Sequence, residues 1–121
     1  MTVEHFGEAA VPLTPAVRAG DFVYVSGQVP VGPDGNVVAG GIGPETEQVI
    51  ANMRKVLELA GCTLDDVIKT HVYLRSRGDF PEFNEVYGKH FAEEPPARTT
   101  AEAQLMIDIA VEIEAIAYRP L

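Results

Sequence analysis

The sequence predicts an α+β fold in which two helices pack on one face of a sheet. Three observations carry this. Apolar residues recur at helical spacing in two stretches, Val49 to Ala60 and Phe83 to Phe91. Strand-like segments lie before, between and after them. The resulting order is strands, helix, strand, helix, two strands, the arrangement of an α+β domain.

The first strands run over Ala16 to Arg18 and Phe22 to Gln28, and the Gly20-Asp21 pair between them suggests a hairpin. Pro33-Asp34-Gly35-Asn36 is a turn, with proline fixing one φ. Pro44 then reads as a first helical residue, with Glu45 and Glu47 at the positive end of the helix dipole. Val49, Ile50, Met53, Val56, Leu57 and Ala60 form the buried stripe, and Gly61 reads as the stop. Val67 to Leu74 is the next strand, with Ile68, Thr70, Val72 and Leu74 on one face and Lys69, His71 and Tyr73 on the other. Asp79 and Glu82 form the pattern of a capping box for a second helix, whose buried stripe is Phe83, Val86, Tyr87 and Phe91. Pro95-Pro96 enforces an extended entry to a strand from Arg98 to about Leu105. Ile107 to Tyr118 reads as the closing strand.

The 121 residues are expected to form one domain, 1–121, with a modest core. Eighteen acidic residues against nine basic ones give a formal charge of −9, which disfavours nucleic acid and anionic membranes as partners. Met1 to Ala10 shows no secretory pattern and no apolar run approaches a membrane span, so a cytoplasmic protein is expected. Cys62 is the single cysteine, and no basic neighbour is evident to activate it. His5, His71 and His90 lack metal-ligand spacing, and there is no Walker loop, G-x-G-x-x-G or G-x-S-x-G. No metal and no cofactor are expected.

Two helices cover one sheet face. The other face would hold Tyr24, Lys69, His71, Tyr73 and part of the last strand, a mixture too apolar to leave in water. A second copy of the chain is the expected cover, and pattern does not give the order of the oligomer.

The closing strand carries two carboxylates in an otherwise apolar body. Glu112 and Glu114 share a face with Ala110, Ile116 and Tyr118, opposite Ile109, Val111, Ile113, Ala115 and Ala117. A semi-buried glutamate is costly unless something pairs with it or uses it. Either is a candidate general acid or base, or else faces intersubunit water or a lysine, and pattern does not rank them. Arg98, at the start of a strand after a stiff Pro-Pro, is a candidate for two-point carboxylate recognition, or else a solvated or ion-paired arginine. Ser26-Gly27-Gln28 is a strand end with a bulge or a ligand-facing edge, the bulge being favoured.

Several segments in order resemble the RidA (YjgF/YER057c/UK114) family of enamine/imine deaminases, from about Thr14 to Tyr118. Val25-Ser26-Gly27-Gln28-Val29-Pro30-Val31 is similar to its SGQ-x-P strand. Asn52 to Gly61 resembles its first helix, Asp66-Val67-Ile68-Lys69-Thr70 its next strand, and Phe80, Asn84 and Tyr87 its second helix. Pro96-Ala97-Arg98-Thr99 resembles its P-A-R-S/T signature, and Val111 to Ala117 its closing E-I-E-A-I-A strand.

The resemblance implies a chorismate-mutase-like fold with a mixed, mostly antiparallel sheet. It also implies a homotrimer whose sheets form a central barrel, with sites in the clefts between subunits. The implied reaction is cofactor-free hydrolysis of 2-imino or enamino acids to 2-keto acids and ammonia. Arg98 would bind the substrate carboxylate and Glu112 would position or activate the water, with Thr100, Ser26, Gly27, Tyr87 and Asn84 completing the pocket. Two positions depart from the family: Ala16 stands where a tyrosine is usual, and Thr100 where a cysteine is usual. Two other classes remain compatible with the residues. One is a non-catalytic carboxylate-binding or regulatory module. The other is an interaction protein of the chaperone kind.

Overall fold

The computed structural model describes residues 3–121, so any reading of Met1 and Thr2 lies outside the described residues. Six strands form one sheet: β1 (Val3–Phe6), β2 (Ala16–Ala19), β3 (Phe22–Gln28), β4 (Val67–Leu74), β5 (Ala97–Glu102) and β6 (Val111–Tyr118). Their order is β1-β2-β3-β6-β4-β5. Only β4 and β5 run parallel, joined by the crossover helix α2 (Phe80–His90); the other pairs are antiparallel. The longer helix α1 (Ile42–Leu59) lies beside α2, and both cover the same face. The predicted α+β arrangement is therefore the observed one.

Between the helices and the sheet lies the core. Val23, Val25, Val72, Leu74, Val111, Ile113, Ala115 and Ala117 meet Val49, Ile50, Met53 and Leu57 of α1 and Phe83 and Tyr87 of α2, all buried. Burying one of the Val, Leu, Ile, Met or Phe side chains contributes about 1.5–3 kcal/mol. At the far end Arg18 is itself buried and donates to the carbonyls of Gly20, Ala60 and Arg119. It thereby ties the β2–β3 turn, the end of α1 and the C-terminal segment together. The helix stops where Gly61 takes φ 78, its N–H donating to the Glu58 carbonyl.

Four sequence expectations need correction. Ile68 does not join Thr70, Val72 and Leu74: a bulge between Val67 and Lys69 buries Val67 instead and leaves Ile68 45% exposed. The capping box at Asp79 and Glu82 does not form, because the Asp79 N–H already donates to the Ser76 carbonyl in a preceding 3₁₀ turn. Strand β5 ends at Glu102, short of Leu105, since its partner β4 ends at Leu74. The closing strand begins at Val111, four residues later than Ile107. Ile109 N–H turns back to the Ile107 carbonyl, and both backbone groups of Ala110 are held outside the sheet ladder, by Glu45 and by Arg75 N–H. Strand β1, unforeseen from pattern, is a short exposed edge on β2.

The face away from the helices is bare in one chain. Phe22, Tyr24 and Tyr118 are 38%, 48% and 45% exposed there, beside Lys69, His71, Tyr73, Glu112, Glu114 and Ile116. No helix among the described residues is long and apolar enough to cross a membrane.

Candidate active site

Arg98 sits on β5 with its guanidinium carbon 4.9 Å from the ring centre of Tyr87, 5.5 Å from Phe83 and 5.6 Å from Phe80. These rings come from successive turns of α2, so Pro81-initiated helix and Pro96-initiated strand together build a cationic platform. Among the described residues no carboxylate pairs with Arg98. The planar group faces a groove of about 400 Å³ with Asn84, Tyr87, Gly88, Pro95 and Pro96 on its walls. The Tyr87 hydroxyl is turned inward to Thr70 Oγ1 at 2.8 Å, and burial pushes its proton affinity up. Its ring, rather than its hydroxyl, is what Arg98 meets.

Thr100 lies two residues along on the same face. Its Oγ1 is buried and has no hydrogen-bond partner. It borders a second hollow with Leu74, Arg77, Phe80 and Glu102, next to the Arg98 platform.

Glu112 is elsewhere. It alternates with Val111 and Ile113, which are 0% and 1% exposed under the helices, so its side chain leaves the opposite face. It pairs in register with Tyr73. The β3–β6 ladder slips between Val25 and Gln28, which makes Ser26-Gly27 the bulge the sequence favoured. The Glu112 carboxylate rests over Gly27, where a β-carbon would stand 2.1 Å from Glu112 Oε2. Ser26 donates its hydroxyl to the Thr14 carbonyl at 2.6 Å. Burial, and then the charge of Glu114, raise the proton affinity of Glu112 above the ordinary carboxylate range. Glu114 accepts the Tyr73 hydroxyl at 2.8 Å.

The residues singled out from sequence thus fall into two groups on opposite sheet faces. Arg98, Thr100, Tyr87 and Asn84 gather at the β5 edge against α2. Glu112, Ser26 and Gly27 gather over the β3–β6 bulge. Arg98 pairs with Thr70, which pairs with Ala115, three residues along β6 from Glu112. The separation is two strand spacings, about 10 Å, plus about 10 Å along the strand, through the thickness of the sheet. One chain does not bring Arg98 and Glu112 together.

Ala16 is fully buried in the core and does not line an open cleft within the chain. Cys62 is buried, and burial followed by the Asp66 charge raises its thiol above the usual range, consistent with an inert thiol. Sequence reasoning missed Glu45 as a structural contact. This buried carboxylate accepts the Ala110 N–H at 2.7 Å, two residues before Glu112. The sequence marked it only as a first-turn glutamate suited to the helix dipole; its place on the same helical stripe as Val49 was the signal for burial.

The family model described as "Endoribonuclease L-PSP" matches residues 4–119. The chain is 46% identical over 110 residues to the "RutC family protein PH0854" of Pyrococcus horikoshii, covering 89% of this chain and 87% of that one. It is 38% identical over 110 residues to the human "2-iminobutanoate/2-iminopropanoate deaminase", covering 89% and 80%. The crystal structure of yeast Mmf1 superposes with a TM-score of 0.93 at 36% identity, covering 98% of this chain and 99% of that one. With its fold, its strand motifs and these matches over nearly its full length, the chain belongs to the RidA (YjgF/YER057c/UK114) family.

Proposed function

We propose that this protein hydrolyses 2-imino and enamino acids to 2-keto acids and ammonia, at sites completed where two copies of the chain meet. The observation that carries the reading is Arg98: a guanidinium seated on three aromatic rings, with no carboxylate paired to it among the described residues, facing a groove. Such a group suits a planar carboxylate held by two parallel hydrogen bonds. The name of the human relative, a 2-iminobutanoate/2-iminopropanoate deaminase, supports the choice of substrate class.

In this reading Arg98 of one copy fixes the substrate carboxylate and Glu112 of another faces the imine carbon. The bare sheet face that carries Glu112 is the surface a second copy covers, and a ring of three copies is the assembly we propose. An enamino acid first tautomerises to the imine, its β-carbon gaining the proton that nitrogen loses. Water then adds across the C=N bond: its oxygen bonds to carbon, the π pair moves to nitrogen, and Glu112 takes one water proton and passes it to that nitrogen, giving a neutral carbinolamine. Glu112 next takes the hydroxyl proton and delivers it to the amino group as the C–N bond breaks, so C=O forms and neutral ammonia leaves with both water protons. Backbone groups near Thr100 and Ser26 face the charge that develops on the intermediate. A proton affinity raised above the ordinary carboxylate value, by burial and then by the Glu114 charge, suits a group that must both accept and return a proton. No covalent intermediate is required.

The test is ammonia release from freshly generated 2-imino acids of graded side-chain size. Release above the buffer rate for at least part of the series is expected. Keto-acid binding with no release above buffer anywhere in the series contradicts the reading and leaves a carboxylate-binding module.

A further inference from the structure

Gly27 does not occupy the left-handed region that favours glycine, since its φ is not among the positive values of this chain. Its lack of a side chain is therefore not explained by the turn it occupies. The explanation lies directly above it. The three atoms nearest to a β-carbon built at Gly27 all belong to Glu112: Oε2 at 2.1 Å, Cδ at 3.0 Å and Cγ at 3.2 Å. No real β-carbon tolerates the first of these. What would move is the end of the Glu112 side chain, which is flexible, and not the sheet.

The bulge makes this arrangement possible. Where the β3–β6 ladder slips between Val25 and Gln28, the chain at Gly27 is lifted out of regular pairing and lies beneath the Glu112 carboxylate. Ser26 anchors the bulge from the other side, through its hydroxyl on the Thr14 carbonyl and its N–H on the Pro15 carbonyl. The floor under Glu112 is thus a fixed piece of backbone. Among the described residues no hydrogen bond from a side chain holds Glu112, whereas its neighbour Glu114 has Tyr73.

We propose that Gly27 is a positioning residue: its bare Cα is the seat of the Glu112 carboxylate, and its part in the reaction is exerted through Glu112. This rests on the reading of Glu112 as the proton acceptor. It gives Gly27 a different part from that of a direct substrate contact. A contact to substrate would act whether or not Glu112 is functional. A seat for Glu112 acts only when Glu112 is.

The test compares wild type, Gly27→Ala, Glu112→Gln and the double variant, using an imine that wild type turns over. Gly27→Ala is expected to keep its fold and its affinity for a 2-keto acid within about twofold, while kcat falls roughly 10- to 100-fold, the scale of a displacement of about 1 Å. Added to Glu112→Gln, the same change is expected to lower the residual rate no further. A wild-type kcat in Gly27→Ala overturns the proposal, as does an equal loss in both backgrounds. Carbon-13 NMR of the carboxyl groups gives an arm independent of turnover. Gly27→Ala is expected to move the Glu112 titration; an unmoved Glu112 overturns the proposal. If wild type releases no ammonia, the functional reading fails, and this second arm still decides whether Gly27 seats Glu112.

Discussion

Tyr73 donates its hydroxyl to Glu114 at 2.8 Å, and this one bond makes the two carboxylates of β6 unequal. Glu114 has a fixed donor. Glu112 stands opposite Tyr73 in register, half-buried over Gly27, with its proton affinity raised by burial and by the Glu114 charge. Sequence alternation put both on one face and left them equivalent; the structure separates a tethered carboxylate from an untethered one. Glu112→Gln keeps the size and removes the proton acceptor, so turnover is expected to fall roughly 10²–10⁴-fold with keto-acid binding little changed. Glu114→Gln is expected to keep most activity. Steady-state kinetics on the pair checks both, and equal losses would contradict the assignment.

The raised proton affinity of Glu112 also carries a sign for stability. Between the unfolded and folded pKa values the folded state binds more protons, so this group's contribution is fully present below the unfolded pKa. It is lost as pH rises through the folded pKa. At neutral pH the ionised carboxylate is therefore a burden that Glu112→Gln removes. The variant is expected to be more stable than wild type at pH 7, with the difference vanishing as pH falls below the ordinary carboxylate range. Urea unfolding across that range reads it directly. A variant less stable than wild type at pH 7 would contradict burial and the Glu114 charge as the forces acting on Glu112.

Arg98→Lys keeps a charge and loses the planar fork. Replacing a charge-assisted two-point contact is expected to cost about 1.5–3 kcal/mol of keto-acid binding, roughly ten- to a hundredfold or more. Calorimetric titration of a 2-keto acid into both proteins measures it. Equal affinities would show that Arg98 faces something other than the ligand carboxylate.

Glu45 is expected to matter for the fold. Glu45→Ala leaves the Ala110 N–H without its acceptor and is expected to destabilise by about 1–3 kcal/mol, while Glu45→Gln keeps an acceptor oxygen and loses much less. Denaturant midpoints of the two variants give the comparison. Similar losses in both would mean that the charge of Glu45, and not its acceptor oxygen, holds the start of β6.

Periodicity made the two helices, the β2–β3 hairpin and the core stripe legible, because each buries a regular face. What escaped was set by contacts distant in sequence or by backbone detail. The Ile68 bulge breaks alternation without any glycine or proline to mark it. The late start of β6 follows from Glu45, 65 residues away, capturing the Ala110 N–H. The Asp79 box fails because a 3₁₀ turn had already taken the Asp79 N–H. In the site, Arg98 and Glu112 were nameable from sequence, yet their placement on opposite faces was not. That placement depends on β4 lying between β5 and β6, and strand order is not written in local pattern.

The central claim is that Arg98 and Glu112 act on one substrate from different copies of the chain. It is tested by mixing two variants that are each inactive, one altered at Arg98 and one carrying Glu112→Gln. They are unfolded and refolded together at equal concentration. In a ring where each site takes Arg98 from one copy and Glu112 from the next, about one site in four regains both groups. Ammonia release near a quarter of the wild-type rate is therefore expected, from a species heavier than the 13.1 kDa chain. Release no greater than that of the separately refolded variants, or a mixture that sediments as single chains, would contradict the account.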